Sequence, residues 1–386
     1  MHLTDIQITT PMKWIAMTRS ALRITVGLVA CAAVVFATYT VAAPVAVARA
    51  ASLPPLSTKG SSIIRNKSAF RFYGVNRDSL EWGSTNWGGC GGDGHFADHD
   101  FDLIKSWNVT AVRIPLSQAG WLGRSCSAAD YAQSVDAAIA KANARGMYAI
   151  VDLHWSDVTG LSPCNVGCPT GQQMMPDTDS LVFWRAVAKR YANNPGVVFG
   201  LYNEPHDVSW SCWRNGGCTA YASLFASAGA WTPYTAVGMQ QLYGAVRQQG
   251  ANNLVLVGGL DWAYDLSGVV GGYALSGTNI AYDTHIYTLW HNTTADWDTH
   301  FGVVAGRYPM VSTEFGSSDC STTDSSRLLS YFDAPMGNTA NRMGWTIWSW
   351  NNPGNCQQPS IIADWEGRAL PGQGEMIRQA LATKAG

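Results

Sequence analysis

Between residues 70 and 349 short apolar runs alternate with longer segments, many of them amphipathic, and that alternation limits the fold more than any other feature of the chain. Residues 70–75, 111–115, 147–153, 197–202, 254–257, 279–284, 310–313 and 344–349 read as strands. Residues 101–107, 128–145, 180–191, 235–249 and 374–384 read as helices. Gly146 and Gly250 close two of these helices, and Asn193-Asn194-Pro195 stops a third. Strands separated by helices predict a parallel sheet, and eight of them predict a (β/α)8 TIM barrel. No Pro/Thr/Ser linker or repeated module divides residues 61–386, so a single catalytic barrel domain with loop insertions is expected there, after a short lead-in at 51–60.

In such a barrel the functional groups sit at the C-terminal ends of the strands. Arg113, His154, Glu204, His285, Glu314 and Trp348 all fall at or just beyond expected strand ends, although no two are close in sequence. Stability of the fold does not account for polar groups gathered on one rim. Glu204 ends the apolar run Val197-Val198-Phe199-Gly200-Leu201-Tyr202 and precedes Pro205; Glu314 follows Val311-Ser312-Thr313 and precedes Phe315-Gly316. Paired carboxyls of this kind suit glycosidic bond cleavage, where one group protonates the leaving oxygen and the other attacks or stabilises the sugar carbon. Arg113 inside an apolar strand demands an ionic partner.

Charged residues make up 13% of the chain and the net charge is -2, so no basic footprint for nucleic acid is present. The 17 Trp, 15 Tyr and 11 Phe exceed what core filling alone asks for, and several Trp lie in Gly-rich loops, where flat faces can line a groove.

Lys13, Arg19 and Arg23 precede an uncharged apolar stretch over 24–47 that ends in Ala48-Arg49-Ala50. This reads as a signal peptide over 1–50, hence a secreted protein with no membrane attachment after cleavage; an uncleaved N-terminal anchor is the alternative. Beyond Cys31, eight cysteines remain, all in loop-like sequence, which predicts disulfide-stapled insertions. Proximity favours Cys164 with Cys168 and Cys212 with Cys218, leaving Cys90 with Cys126 and Cys320 with Cys356. A zinc site is the weaker rival reading of these cysteines.

The motifs Val112-Arg113-Ile114-Pro115, Asp152-Leu153-His154, Leu201-Tyr202-Asn203-Glu204-Pro205, His285-Ile286-Tyr287, Thr313-Glu314-Phe315-Gly316 and Ile347-Trp348-Ser349-Trp350, in this order, resemble glycoside hydrolase family 5, the cellulase-type retaining β-glycanases. The resemblance implies Glu204 as acid/base and Glu314 as nucleophile. Arg113 and Tyr287 would hold Glu314 ionised, and Asn203 would bond the sugar 2-hydroxyl. His154 and His285 would bond sugar hydroxyls or orient the glutamates, and Trp348 would form a stacking floor. Trp350, of opposite parity, would pack. It implies action on a β-glycan polysaccharide or oligosaccharide, and a monomer without cofactor or metal is expected. A β-1,4-glucanase leads; a β-mannanase, a xylanase, an exo-β-glycosidase or a non-catalytic carbohydrate-binding barrel are the alternatives. Two features stand apart. Arg77 follows Gly74-Val75-Asn76 where many relatives carry an aromatic, and His95, Asp98, His99 and Asp100 could be read as metal ligands. The insertions at 155–173 and 210–230 are expected to wall the cleft.

Overall fold

The computed structural model describes residues 52–82, 89–157, 173–223, 231–289, 291–317, 322–336, 342–352, 356 and 359–384. The expected signal segment, Cys164, Cys168, Cys320 and most of the 155–173 insertion lie outside the described residues.

The eight expected strands all form. β4 (Tyr73–Asn76), β5 (Ala111–Ser117), β6 (Tyr148–Trp155), β7 (Val197–Gly200), β10 (Val255–Gly258), β11 (Ile280–Tyr287), β12 (Met310–Gly316) and β13 (Gly344–Ile347) make a closed barrel. All neighbours are parallel, and β13 pairs with β4 to complete the ring. β4 and β5 are followed by α1 (Asp98–Ser106) and α3 (Ala128–Ala144), with the short α2 (Gln118–Trp121) between β5 and α3. α4 (Thr178–Tyr191) and α6 (Met239–Arg247) follow β6 and β7. α7 (Thr294–His300), α8 (Thr322–Asp333) and α9 (Gln373–Ala382) follow the last three strands. The β10 to β11 crossover carries a single irregular helical turn, Val269–Tyr273. Gly146 and Gly250 both adopt φ of +74°, the left-handed conformation that ends a helix at little cost for a residue without Cβ.

Three expectations are revised. The segment read as a lead-in supplies β1 (Leu56–Lys59), which joins β2 (Ser62–Arg65) and β3 (Ser68–Phe70) in an antiparallel sheet. Leu56, Ile63 and Phe70 turn inward onto Ile150, Val198, Leu254 and Leu256, sealing the barrel floor. Residues 235–237 are not helical. They end β9 (Trp231–Val237), which pairs with β8 (Gly216–Ser223). Pro233 and the β-branched Thr232, Thr235 and Val237 disfavour a helix start there, and Gly238 hands the chain to α6. Finally, β5, β6, β11 and β12 outrun their expected ends, so His154, His285 and Glu314 sit within the ladder rather than past it. The register pairs His285 with Glu314 and Asn76 with Arg113.

Two expected disulfides are present, Cys90–Cys126 and Cys212–Cys218, with Cα–Cα distances of 5.8 and 5.7 Å. The second lies where α5 (Trp210–Asn215) meets β8. Cys356 is also disulfide-bonded, and its expected partner, Cys320, is outside the described residues. No helix among the described residues is long and apolar enough to cross a membrane.

Candidate active site

At the C-terminal mouth of the barrel a buried polar network is built around Arg113, which is 1% exposed. One guanidinium nitrogen donates to Glu314 Oε1 at 2.5 Å and to Asn76 Oδ1 at 2.9 Å. The other donates to Asn203 Oδ1 at 2.6 Å and to Asp152 Oδ2 at 2.9 Å. A planar fork on a fixed strand is suited to such divided service, and an ammonium is not. The network answers the ionic demand that Arg113 makes in sequence. It also explains how the ladder continues through polar residues: their side chains satisfy one another across the mouth.

Glu314 is gripped from two sides. Arg113 holds Oε1, and the Tyr287 hydroxyl donates to Oε2 at 2.8 Å. Burial pushes its carboxyl up, but the positive charges of His285 and Arg113, the nearby His154 and the Tyr287 hydrogen bond outweigh this and hold it at about 2. Burial and the carboxylates of Glu314 and Glu204 push the Tyr287 phenol well above its ordinary range, so it remains a donor.

His285 connects the two glutamates. Its Nδ1 lies 2.8 Å from Glu204 Oε1 and 3.8 Å from Glu314 Oε2. Its Nε2 lies 3.1 Å from Thr313 Oγ1, which in turn donates to Asp283. Burial pulls the imidazole down, but Glu314, Asp283 and Glu204 together raise it to about 10. It is therefore an imidazolium at neutral pH, donating from both nitrogens. Oxygens of Glu204 and Glu314 and a nitrogen of His285 all lie within 4.8 Å of one another. That is the one set of three such donors among the described residues close enough to share an ion. The fixed guanidinium on Glu314 occupies the electrostatic position a metal ion would take, so the set suits a proton and a polar substrate better.

Asn203 and Glu204 sit beyond the end of β7, where Asn203 N–H donates to Leu153 O. The Asn203 Nδ2 amide is buried without a partner, a donor held ready for a ligand oxygen. His154 donates through Nδ1 to Asp152 Oδ2 at 3.0 Å, and its ring lies parallel to Trp348 at 5.5 Å. Trp348 is half-buried, leaving indole surface at the rim. Trp350 is 1% exposed and packs edge-on against Trp107, the packing role its parity predicts.

The structure thus brings together all eight residues singled out in sequence. It adds Asn76, Asp152, Asp283 and Thr313, which orient them. The available signal was a polar residue inside a strand buried along its length. It also adds Trp262, 44% exposed, whose indole stacks on His206 at 4.4 Å just past Glu204. Arg77 is a strut rather than a rim residue. Its buried guanidinium pairs with Asp93, donates to His95 O, and lies over Phe96 and Trp365. The residues of the neighbouring loop read as possible metal ligands each have a protein partner. His95 stacks on Trp365, Asp98 pairs with Arg145, His99 faces Glu366, and Asp100 caps α1 by accepting from Ala97 N.

The family model for Cellulase (glycosyl hydrolase family 5) matches residues 66–354. Endoglucanase Z of Dickeya dadantii is 26% identical over 241 residues, covering 62% of this chain and 47% of that protein. Endoglucanase 1 of Saitozyma flava is 29% identical over 209 residues, covering 51% and 57%. The chain spans about half the length of these endoglucanases. A crystal structure of a β-glucanase from Saccharophagus degradans, also solved with cellotetraose, matches with a TM-score of 0.65 at 22% identity, over 87% of this chain and 95% of that one. The catalytic domain of Thermobifida fusca endoglucanase Cel5A matches with a TM-score of 0.58 at 18% identity, over 85% and 97%. At these identities the two structures speak for the fold.

Proposed function

The chain belongs to glycosyl hydrolase family 5, the cellulase family, and from that membership we propose that it is a secreted β-1,4-glucanase working by double displacement with retention. The observation that carries this reading is that a carboxyl oxygen of Glu204 and one of Glu314 lie within 4.8 Å of each other. Retaining enzymes set the pair about 5–5.5 Å apart, whereas inverting ones leave about 6.5–9.5 Å for a water.

In the first step Glu314, ionised by Arg113 and Tyr287, attacks the anomeric carbon. The glycosidic oxygen leaves with the proton that Glu204 delivers. In the second step Glu204, now a carboxylate, takes a proton from water. That water displaces Glu314 from the sugar, and both groups return to their starting states. The free Nδ2 of Asn203 supports a bond to the 2-hydroxyl of the sugar being cleaved, an interaction that tightens as the oxocarbenium-like transition state forms. Trp348 offers a stacking face for that sugar, and Trp262 offers one on the side of Glu204. His285 holds Glu204 in line through both steps. The curated relatives named above are endoglucanases, and the β-glucanase neighbour binds cellotetraose, which favours glucan over mannan or xylan.

The test is product analysis by proton NMR on soluble β-1,4-glucan, with Glu314→Gln as control. Newly formed β-anomer, and an inactive Glu314→Gln that still binds cello-oligosaccharide, are expected. First-formed α-anomer, or more than a few per cent of turnover in Glu314→Gln, refutes the mechanism. Faster release of reducing ends from mannan or xylan refutes the substrate.

A further inference from the structure

The end of the barrel opposite the cleft is unusually one-signed. Residues 52–76 contain Lys59, Arg65, Lys67 and Arg71 and no Asp or Glu, in a chain whose net charge is -2. These residues build the β1–β3 sheet and its link to β4, so the charges decorate the barrel floor. Arg342, just ahead of β13, joins them there. Lys59, Lys67 and Arg342 are exposed, and Arg65 and Arg71 half-buried. Arginines on the barrel wall behave differently: Arg124, Arg145 and Arg190 each hold aspartates. None of the five floor cations forms an ion pair with a described carboxylate.

Two of the five meet at a built feature. Arg71 and Arg342 line one recess with Ser61, Ser62 and Gly344, and its volume is about 30 Å³. A smaller recess, bordered again by Ser61 and Arg342, extends it toward Tyr308 and Met343. By the measure in which about 10–15 Å³ holds one water, the main recess takes about two. A sugar ring does not fit. The two oxygens of a carboxylate do, and guanidinium groups are the side chains best shaped to hold them. Two cations facing one recess without a counter-charge repel each other, and an entering anion removes that cost.

We propose that the barrel floor is a binding site for an acidic polysaccharide of the uronate class, with a carboxylate seated between Arg71 and Arg342 and the chain running over Lys59, Arg65 and Lys67. The floor cations sit at both ends of the short strands, Lys59 at one and the Arg65-Asn66-Lys67 turn at the other. That spread fits an extended polyanion better than a single small ion. A lipid surface fits less well. The large exposed apolar residues of the described chain, Val182, Tyr221, Trp262, Leu289 and Val303, all lie outside residues 52–76, and a flat headgroup plane does not enter a recess. Met310 lines the recess and Glu314 is four residues further along β12, ~13 Å at strand rise. A chain held at the floor therefore leaves the cleft open to a second, neutral glycan. The site does not depend on the catalytic reading, so it survives in Glu314→Gln.

The experiment is affinity electrophoresis of the full chain through gels containing polygalacturonate, at low salt and again at about 0.5 M salt, where charges beyond a few Å are screened. Fully methyl-esterified polygalacturonate and phosphatidylglycerol vesicles are the comparison probes. Retardation by polygalacturonate is expected, lost at high salt, at least fivefold weaker in Arg71→Ala/Arg342→Ala, and unchanged in Glu314→Gln. The single exposed-site variant Arg342→Glu guards against misfolding of the double variant and should lose retardation with an unaltered melting temperature. Equal retardation by the methyl ester, full retention of binding in both variants, absence of binding at low salt, or binding to the vesicles alone overturns the proposal.

Discussion

Replacing Arg113 with methionine removes the guanidinium while keeping an unbranched apolar stem. Two consequences can be sized. Asp152 and Glu314 lose a buried partner, and breaking such a pair costs ~3–5 kcal/mol. A domain with ~5–15 kcal/mol of stability survives that loss at neutral pH. The second consequence concerns the charge on Glu314, held at about 2 against an ordinary 4.5. A depression of that size favours the ionised form in the fold by roughly 3 kcal/mol. Its folded value lies below the unfolded one, so this stability is present above pH 4.5 and disappears as pH falls through about 2. Arg113 shares the task with His285, His154 and Tyr287, so part of the depression should be returned in the variant. The assay is kcat/KM on a soluble cello-oligosaccharide from pH 2.5 to 7, with urea unfolding at each pH. The acid limb should move upward by more than about half a unit, and the onset of acid unfolding should move with it. If the variant is folded and impaired yet its acid limb stays within about 0.3 unit of the wild type, Arg113 does not keep Glu314 ionised.

Three further outcomes follow from the same geometry. Glu204→Ala should still form the glycosyl-enzyme with an activated aryl glycoside but hydrolyse it slowly. Azide should rescue turnover to a β-glycosyl azide, and an α-azide or no rescue removes Glu204 from the acid/base role. His285, raised to about 10 from 6.5, stabilises the fold fully below pH 6.5 and loses that contribution as pH rises through 10. His285→Gln should therefore be less stable than wild type at pH 6 and close the gap by pH 10, and a gap independent of pH contradicts a charged imidazole. Opening Cys90–Cys126, with a separation of 36 residues, should cost more than opening Cys212–Cys218, with a separation of 6. Loop closure gives ~4 against ~2 kcal/mol, and equal losses in denaturant midpoints would contradict the chain-entropy account.

The strands were legible because each is a compact apolar run between turn formers, and a barrel strand buried on both faces needs no alternation to be read. The rim residues were legible for a related reason: Arg113 and Glu314 are costly where they stand, and their cost is visible without partners. The partners were not visible. Asn76, Asp152, Asp283 and Thr313 acquire their roles from residues that are mostly far away in sequence, such as Asn76 with Thr313, and local composition carries no trace of those distances. The β1–β3 sheet was hidden by its brevity, and α7 by its polar, Thr-rich sequence. The β8–β9 hairpin was missed because 235–249 continues smoothly into a real amphipathic helix. Arg77 looked like a departure at the rim, yet its ring contacts place it in the wall behind, where it ties the loop after β4 to Trp365.

The pairing of β13 with β4 gives the site a history as well as a shape. Asn76, on the first barrel strand, donates through Nδ2 to Thr313 O and Ile347 O, and through Oδ1 it receives Arg113. The residue that fastens the seam of the ring is therefore also the one that aims the guanidinium at Glu314. During synthesis Arg113 exists some 200 residues before Glu314 does, and it spends that interval without the carboxylate it is built to hold. Glu314, the nucleophile of the proposed mechanism, gains the Arg113 share of its low pKa only when β12 takes its place across the mouth from β5. On the proposed mechanism hydrolysis needs the closed ring, and a chain stopped short of residue 344 is expected to release no reducing ends from soluble β-1,4-glucan.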